Sequence, residues 1–143
     1  MAITAKPYAH FLFDLGSGVH NLTSESIFVA LLKNTYTPDY ANHSTVTAFG
    51  ANEIDAASGS YSTGGQPLVN RAFTYNASTS TATLTSDDIT WPTLTATVRY
   101  AVVYSADNST LLGLVDFGAD RVYAGDPLEL SFPNGVFTIG VVS

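Results

Sequence analysis

Residues 87–118 constrain the fold more strongly than any other part of the chain. Within them, residues 95–105 place alternate side chains on opposite faces and are rich in β-branched and aromatic types, which predicts a β-strand. The Ala-Asp-Asn-Ser sequence at 106–109 favours a turn, because Asp and Asn can hydrogen-bond the nearby backbone. Residues 111–117 then predict a returning strand that ends at Gly118. A hairpin this apolar needs a second layer to cover it.

Strand signals continue along the rest of the chain. The predicted strands are residues 26–33, 68–75, 81–85, 95–105, 111–117, 121–123, 128–132 and 136–142. Residues 26–33 are apolar on both faces, which predicts a central strand that is covered on both sides. Turns are predicted at 77–80 and 124–127, and Pro133-Asn134-Gly135 predicts a hairpin turn into the last strand.

Helical signals are short and confined to the first third of the chain. Residues 6–15 have apolar side chains at helical spacing, with Pro7 suited to the first helical position and Gly16 to the C-terminal cap. Strand alternation also fits these residues in part, but we favour the helix. Thr37-Pro38 predicts one further helical turn within residues 36–44.

These signals predict an all-β protein with turns between most of its strands. The length of 143 residues suits one domain. We therefore expect residues 1–143 to form a single-domain antiparallel β-sandwich, jelly-roll-like, with at most one or two short helices.

Charge and composition argue against several classes of function. The net charge is −7, and the basic residues are scattered: Lys6, Lys33, Arg71, Arg99 and Arg121. Nucleic-acid binding needs a clustered basic surface, so we expect no nucleic-acid partner, and the same deficit argues against an anionic membrane surface. The chain has no cysteine, which excludes disulfides, thiolate metal sites and cysteine nucleophiles.

Residue patterns typical of catalysis or metal binding are not evident. Neighbouring strand residues point to opposite faces, so the doublet Asp87-Asp88 makes a poor pair of catalytic carboxylates and is better interpreted as a strand-end turn. His10, His20 and His43 do not stand at metal-ligand spacing. Asp107-Asn108-Ser109 lacks the acidic series and glycine of a calcium loop. We expect no cofactor, no metal and no catalytic residue.

Trp91 and Arg99 each allow two interpretations. Trp91, with the eight tyrosines, could stack on sugars, although packing beside a strand is the favoured interpretation. Arg99 lies on the polar face of the long hairpin. It either pairs with a carboxylate such as Asp116 or Asp88, or reaches a neighbouring subunit, and the sequence leaves this open.

Several segments, in the same order, resemble a family of small tailed-bacteriophage virion proteins. They are HNLTSESIFVALLKNTYTPDY, NEIDAASGSYSTGGQPL, DDITWPTLTATVRYAVVYS, LLGLVDFGAD and PNGVFTI, which together extend from His20 to Ile139. The resemblance implies a location in the virion and a role in assembly without catalysis. It suggests first a capsid decoration or cement protein that binds phage capsid or other virion proteins. Alternatives are a tail, neck or fibre component, or a carbohydrate-binding module for host attachment.

Within this assembly role, exposed loops are the expected contact surface. Residues 60–66 are a Gly- and Ser-rich loop in which the Gly64-Gly65 pair predicts backbone at positive φ, and residues 106–110 form the tip of the long hairpin. A homo-oligomer in the particle is also expected. The candidate interface residues are Tyr61, Gly64, Gly65, Gln66, Arg99, Asp107 and Asn108.

Overall fold

The structure, a computed structural model, describes residues 2–140 and consists mainly of β-strands. The strands are β1 (Lys6–Pro7), β2 (Ile27–Leu32), β3 (Gln66–Pro67), β4 (Ala72–Asn76), β5 (Thr81–Thr85), β6 (Ile89–Ser105), β7 (Thr110–Leu130) and β8 (Phe137–Gly140). One α-helix, α1 (Ala9–Gly16), and two short 3-10 helices, Val46–Ala48 and Gly50–Asn52, complete the described elements.

The strands form two antiparallel sheets around one hydrophobic core. The larger sheet has the order β1-β7-β6-β2-β3, and the smaller has the order β4-β5-β8. Trp91, Phe11 and Phe137 are fully buried and lie in the same core as side chains from both sheets. The predicted all-β, sandwich-like single domain is therefore confirmed.

The predicted central hairpin is confirmed, and it is longer than its sequence signal. Strands β6 and β7 span 17 and 21 residues and are joined by the predicted turn at 106–109. Gly118 does not end the second strand. Residues 117–120 instead bulge out between the pairs Val98↔Arg121 and Tyr100↔Asp116, and pairing then resumes. The left-handed backbone of Gly118, with φ of +80°, allows this detour.

The turn predicted at 124–127 is wrong, because β7 passes straight through it. Gly125, with φ of +80°, is a single extra residue between the pairs Leu94↔Asp126 and Thr95↔Ala124. A one-residue bulge lets a strand absorb turn-forming residues without reversing direction. The strands predicted at 121–123 and 128–132 therefore belong to β7, which ends at Leu130.

The turn at Pro133-Asn134-Gly135 exists, but the hairpin predicted around it is wrong. The Gly135 N–H donates to the Phe132 carbonyl at 3.0 Å, and Gly135 has φ of +89°. The strands on either side do not pair, since β7 lies in the larger sheet and β8 pairs with β5 in the smaller one. The turn therefore connects a strand of the larger sheet to a strand of the smaller sheet. Residues 141–142 of the predicted last strand lie outside the described residues.

The helix at the start of the chain is confirmed, with different ends. Pro7 belongs to β1, where it pairs with Gly113, and the helix begins at Ala9. Gly16 is its last residue, and Gly18, with φ of +81°, adopts the left-handed conformation expected of a C-terminal glycine.

Three other predictions concern local structure. Residues 36–44 contain a turn and no helix, because the Asp39 carboxylate accepts the backbone N–H groups of Ala41 and Asn42.

The strand predicted at 68–75 begins only at Ala72, after Asn70 with φ of +53°. The central strand β2 is confirmed between β6 and β3, buried on both faces, and the hairpin of β4 and β5 is confirmed.

Candidate protein-interaction surface

The loop predicted to contact a partner, residues 60–66, is held tightly against the protein's own sheet. Glu53 Oε1 accepts both the Tyr61 hydroxyl and the Gly64 N–H at 2.6 Å. The Gly64 carbonyl in turn accepts the Tyr104 hydroxyl at 2.6 Å. The amide of Gln66 donates to the Thr90 carbonyl at 2.7 Å. The loop therefore has a fixed shape that Glu53 organises, and the sequence did not indicate this carboxylate.

Tyr61 is not on the surface, contrary to the expectation for an interface residue. Its side chain is 2% exposed, its ring lies 6.0 Å from that of Trp91, and its hydroxyl oxygen accepts the Leu31 N–H at 3.2 Å. Burial, and secondarily the hydrogen bond to Glu53, raise the pKa of Tyr61. Tyr61 thus links the loop to the core.

The glycine pair has the backbone that its sequence predicts. Gly64 and Gly65 have φ of +93° and +80°, so the prediction of positive φ is confirmed. Gly65 also has no room for a side chain, because an added Cβ would overlap the carbonyl oxygen of Val29. Whether Gly64, Gly65 and Gln66 contact a partner stays a prediction.

The second predicted contact loop, at the tip of the hairpin, is anchored to the segment that precedes β2. The Ser26 N–H donates to Asp107 Oδ2 at 2.9 Å. Asn108 Nδ2 donates to Glu25 Oε2 at the same distance. Asp107 and Asn108 therefore fix the position of the tip relative to Glu25, and their role toward a partner stays a prediction.

Glu25 belongs to a polar cluster, buried except at Asn108 and Thr110, that the sequence did not reveal. We use the term polar cluster for Asp14, His20, Glu25, Ser105, Asn108 and Thr110. His20 Nδ1 lies 3.0 Å from Glu25 Oε1, and His20 Nε2 lies 3.9 Å from Asp14 Oδ2. The cluster connects α1, the segment before β2 and the hairpin tip. These residues are dispersed in sequence, so only the fold brings them together.

An exposed apolar patch covers the outer side of α1. We use the term apolar patch for Leu12 and Phe13 of the helix and Val19, which follows it in the chain; they are 45%, 68% and 47% exposed. The polarity of the helix is unusual, because Asp14 points into the protein while Phe13 points into solvent. Phe11 fixes the inner side, with its ring 5.1 Å from that of Phe137.

Arg99 pairs with a carboxylate of its own chain, which is one of the interpretations left open, and its role toward a partner stays a prediction. Its Nε donates to Asp116 Oδ1 at 3.0 Å. Its Nη1 lies 3.9 Å from Asp120 Oδ1. The hydrogen bond to Asp116 raises the pKa of Arg99, while the Gly118 N–H, and then Arg99, lower the pKa of Asp116. The bulge at 117–120 therefore brings a second carboxylate to Arg99.

A cleft of about 420 Å³ lies between β6 and the segments that follow β2. Its polar lining includes Lys33, Asp55, Ser58 and Thr97. Lys33 Nζ and Asp55 Oδ1 already form an ion pair at 3.4 Å. The cleft is open and carries no feature that identifies a ligand.

Two other expectations concern sugars and metals. Trp91 is fully buried, so stacking of sugars on its ring is excluded and the packing interpretation is confirmed. Within residues 2–140, no three His, Asp or Glu side chains are grouped so that they could hold a metal ion. No helix in this part of the chain has the length and apolar character needed to cross a bilayer.

Comparisons with known proteins give no identity for the chain. No protein-family model, no curated protein and no solved structure matches it.

Proposed function

We propose that this chain is a non-enzymatic structural protein of a tailed-bacteriophage virion, and that it decorates the capsid by binding assembled shell proteins. The ordered segments between His20 and Ile139 support this proposal, because they resemble small virion proteins of such phages. A decoration protein acts through many copies, so that contacts which are modest individually become strong on a symmetric shell.

The apolar patch on α1 is the observation that carries the proposal. Phe13 is 68% exposed, and Leu12 in the same helix and Val19 just after it are also exposed. Phe11 and the polar cluster fix the helix to the core. Exposed apolar clusters with an aromatic residue at their centre are typical of protein-contact surfaces. A patch on a rigidly held helix loses little conformational freedom when it binds.

Binding to capsids that lack the protein is the direct test. We expect the purified chain to co-sediment with such capsids and to raise their melting temperature, because a ligand that binds only the assembled state stabilises it. No co-sedimentation and no change in melting temperature would contradict the decoration role.

Location on the particle separates decoration from the main alternative. Immunogold electron microscopy of intact particles should place gold over the head. Gold at the neck or tail would instead support a tail, neck or fibre component, in which rings or trimers repeat the same contacts. Particles without gold in either place, together with capsids that bind none of the purified chain, would overturn the virion role.

A further inference from the structure

Strand β4 has an open edge without the features that normally protect such edges. One side of β4 pairs with β5, and no strand of the described residues pairs with its other side. All its residues are exposed, and none of them is charged or is proline. A regular, exposed edge of this kind can accept another strand.

The open edges of the larger sheet carry protecting features. The outer strands of the larger sheet, β1 and β3, are two residues long, and each contains a proline, Pro7 or Pro67. The outer half of β7 is interrupted by the bulges at 117–120 and Gly125 and carries charged residues and a proline. Short strands, prolines, charges and bulges all discourage pairing between molecules. At the other edge of the smaller sheet, β8 has no charge or proline either, but one of its four residues is buried and another is half-buried. Among these edges, β4 is the one that is exposed along its whole length without such features.

The face of β4 that carries its aromatic residues is only partly covered. Cross-strand partners share a face, so Phe73 lies beside Leu84 and Tyr75 lies beside Ala82. Leu84 is fully buried, but Phe73 is 36% and Tyr75 73% exposed. Phe73 and Tyr75 therefore lie on the core-facing side of the smaller sheet but extend beyond the covered core. We use the term aromatic strip for these two side chains.

We propose that β4 pairs antiparallel with β4 of a second copy of this chain, about a two-fold axis that passes beside Thr74. In this register, Thr74 lies opposite Thr74 of the second copy, and Phe73 lies opposite Tyr75. Each copy thus covers the aromatic strip of the other, and two three-stranded sheets become one of six strands. Aromatic residues paired across strands stabilise such an arrangement.

Two properties of β4 favour a second copy over an unrelated strand. Its sequence, Ala-Phe-Thr-Tyr-Asn, places an aromatic residue on each side of the central threonine, which gives the self-complementary surface that a two-fold interface requires. The strand is also uncharged in a chain whose net charge is −7. Two copies can therefore approach along this edge without placing like charges opposite each other.

Cysteine cross-linking tests the register directly, because the chain contains no native cysteine. In Thr74→Cys, the two facing Cα atoms would be about 4.5–5.5 Å apart, which is within the range of disulfides. Val122→Cys is the matched control, since Val122 is 75% exposed on another strand. With diamide as oxidant, we expect Thr74→Cys to form covalent dimers at least about tenfold faster than the control. Equal rates would overturn the proposal.

Sedimentation velocity tests pairing in the unmodified protein, over about 1 μM to 1 mM, a range that covers weak, small interfaces. We expect a monomer–dimer equilibrium that Thr74→Lys weakens at least about tenfold, because the axis brings the two lysines together. Thr97→Lys, at an exposed position of β6, should leave the equilibrium unchanged.

Two outcomes of the sedimentation experiment would also overturn the proposal. One is a monomer throughout the concentration range. The other is unaltered dimerisation of Thr74→Lys. If the chain is a monomer but Thr74→Lys abolishes its binding to capsids, the edge of β4 binds a strand of a shell protein and not a second copy. Circular dichroism of each variant verifies that the fold is retained.

Discussion

The imidazole of His20 and the carboxylate of Glu25 face each other inside the protein, with Nδ1 3.0 Å from Oε1, although neither residue belongs to a helix or a strand. The Asn108 amide donates to the same carboxylate at 2.9 Å, and the Ser105 hydroxyl donates at 3.2 Å. Buried polar groups of this kind require partners, so the polar cluster holds an irregular segment in place.

Removal of the imidazole should destabilise the fold. We expect His20→Ala to lower the free energy of unfolding by about 3 kcal/mol, because loss of one member of a buried polar pair leaves the other without compensation. Urea denaturation provides the measurement. His10→Ala is the control, since the His10 side chain is 50% exposed and its contact with Asp14 should contribute less than about 1 kcal/mol. Equal losses for the two variants would contradict this role of the polar cluster.

Two glycines with the same backbone conformation should differ in their tolerance of a methyl group. Gly65 and Gly118 both have φ of +80°, but an added Cβ would overlap the Val29 carbonyl at Gly65 and meet nothing at Gly118. We expect Gly118→Ala to cost about 1–2 kcal/mol, through backbone strain alone. Gly65→Ala should cost at least about 3 kcal/mol, because overpacking adds to that strain. Urea denaturation of both variants measures these losses of stability. Indistinguishable losses would show that loop 60–66 does not pack as described.

Buried tyrosines should make the protein sensitive to alkali. Burial is the main cause that raises the pKa of Tyr8 and Tyr61 above their ordinary value of about 10. Above about pH 10 the unfolded chain loses these protons and the folded chain keeps them. Stability should therefore be constant to about pH 9 and then fall by up to about 1.4 kcal/mol per pH unit for each such tyrosine.

Urea midpoints measured from neutral to alkaline pH check this dependence. Tyr8→Phe should reduce the slope above about pH 10, because phenylalanine has no proton to lose. The unmodified protein is the reference for this comparison. A slope that is the same in Tyr8→Phe and in the unmodified protein would mean that other groups govern the alkaline transition.

The α1 patch makes a separate prediction about capsid binding. We expect Phe13→Asp to raise the dissociation constant for capsids by about tenfold or more, because a charge would enter the centre of an apolar contact. The stability of the free chain should change little, since Phe13 is 68% exposed. Val122→Asp, at an equally exposed apolar position on β7, is the control and should bind normally. Normal binding of Phe13→Asp would move the contact surface away from α1.

Strong local patterns in the sequence predicted most strands correctly. The alternation of residues 95–105, the turn after them and the apolar run in β2 all correspond to elements of the structure. These signals are local, because side-chain periodicity and turn chemistry act over a few residues.

The errors arose where a local signal has more than one structural outcome. Asp126-Pro127 after Gly125 resembles a turn, but a glycine at positive φ can equally form a bulge, and pairing with β6 decides between them. Similarly, Gly135 forms the predicted turn, yet Phe137 finds its partner in Leu84 of β5. Strand partners depend on long-range packing, which the turn residues do not encode.

The exposure of particular side chains was less predictable than the fold. The sequence favoured loops, and the structure shows those loops bound to Glu53 and Glu25 of the same chain. The exposed aromatic residues Phe13 and Tyr75 lie instead on a helix and on a strand. Periodicity identifies apolar residues but does not reveal which of them a second layer covers.

The earliest residues of the fold pair with some of the latest. The backbone of Ile3 donates to Ser131, and that of Ala5 donates to Val136, beside the pairing of β1 with β7. A ribosome synthesises a chain from its N-terminus, so residues 3–5 must wait until residues 131–136 have emerged before these contacts can form. Folding of this domain is therefore completed after translation of its last strand, and nascent chains shorter than this should remain sensitive to proteases.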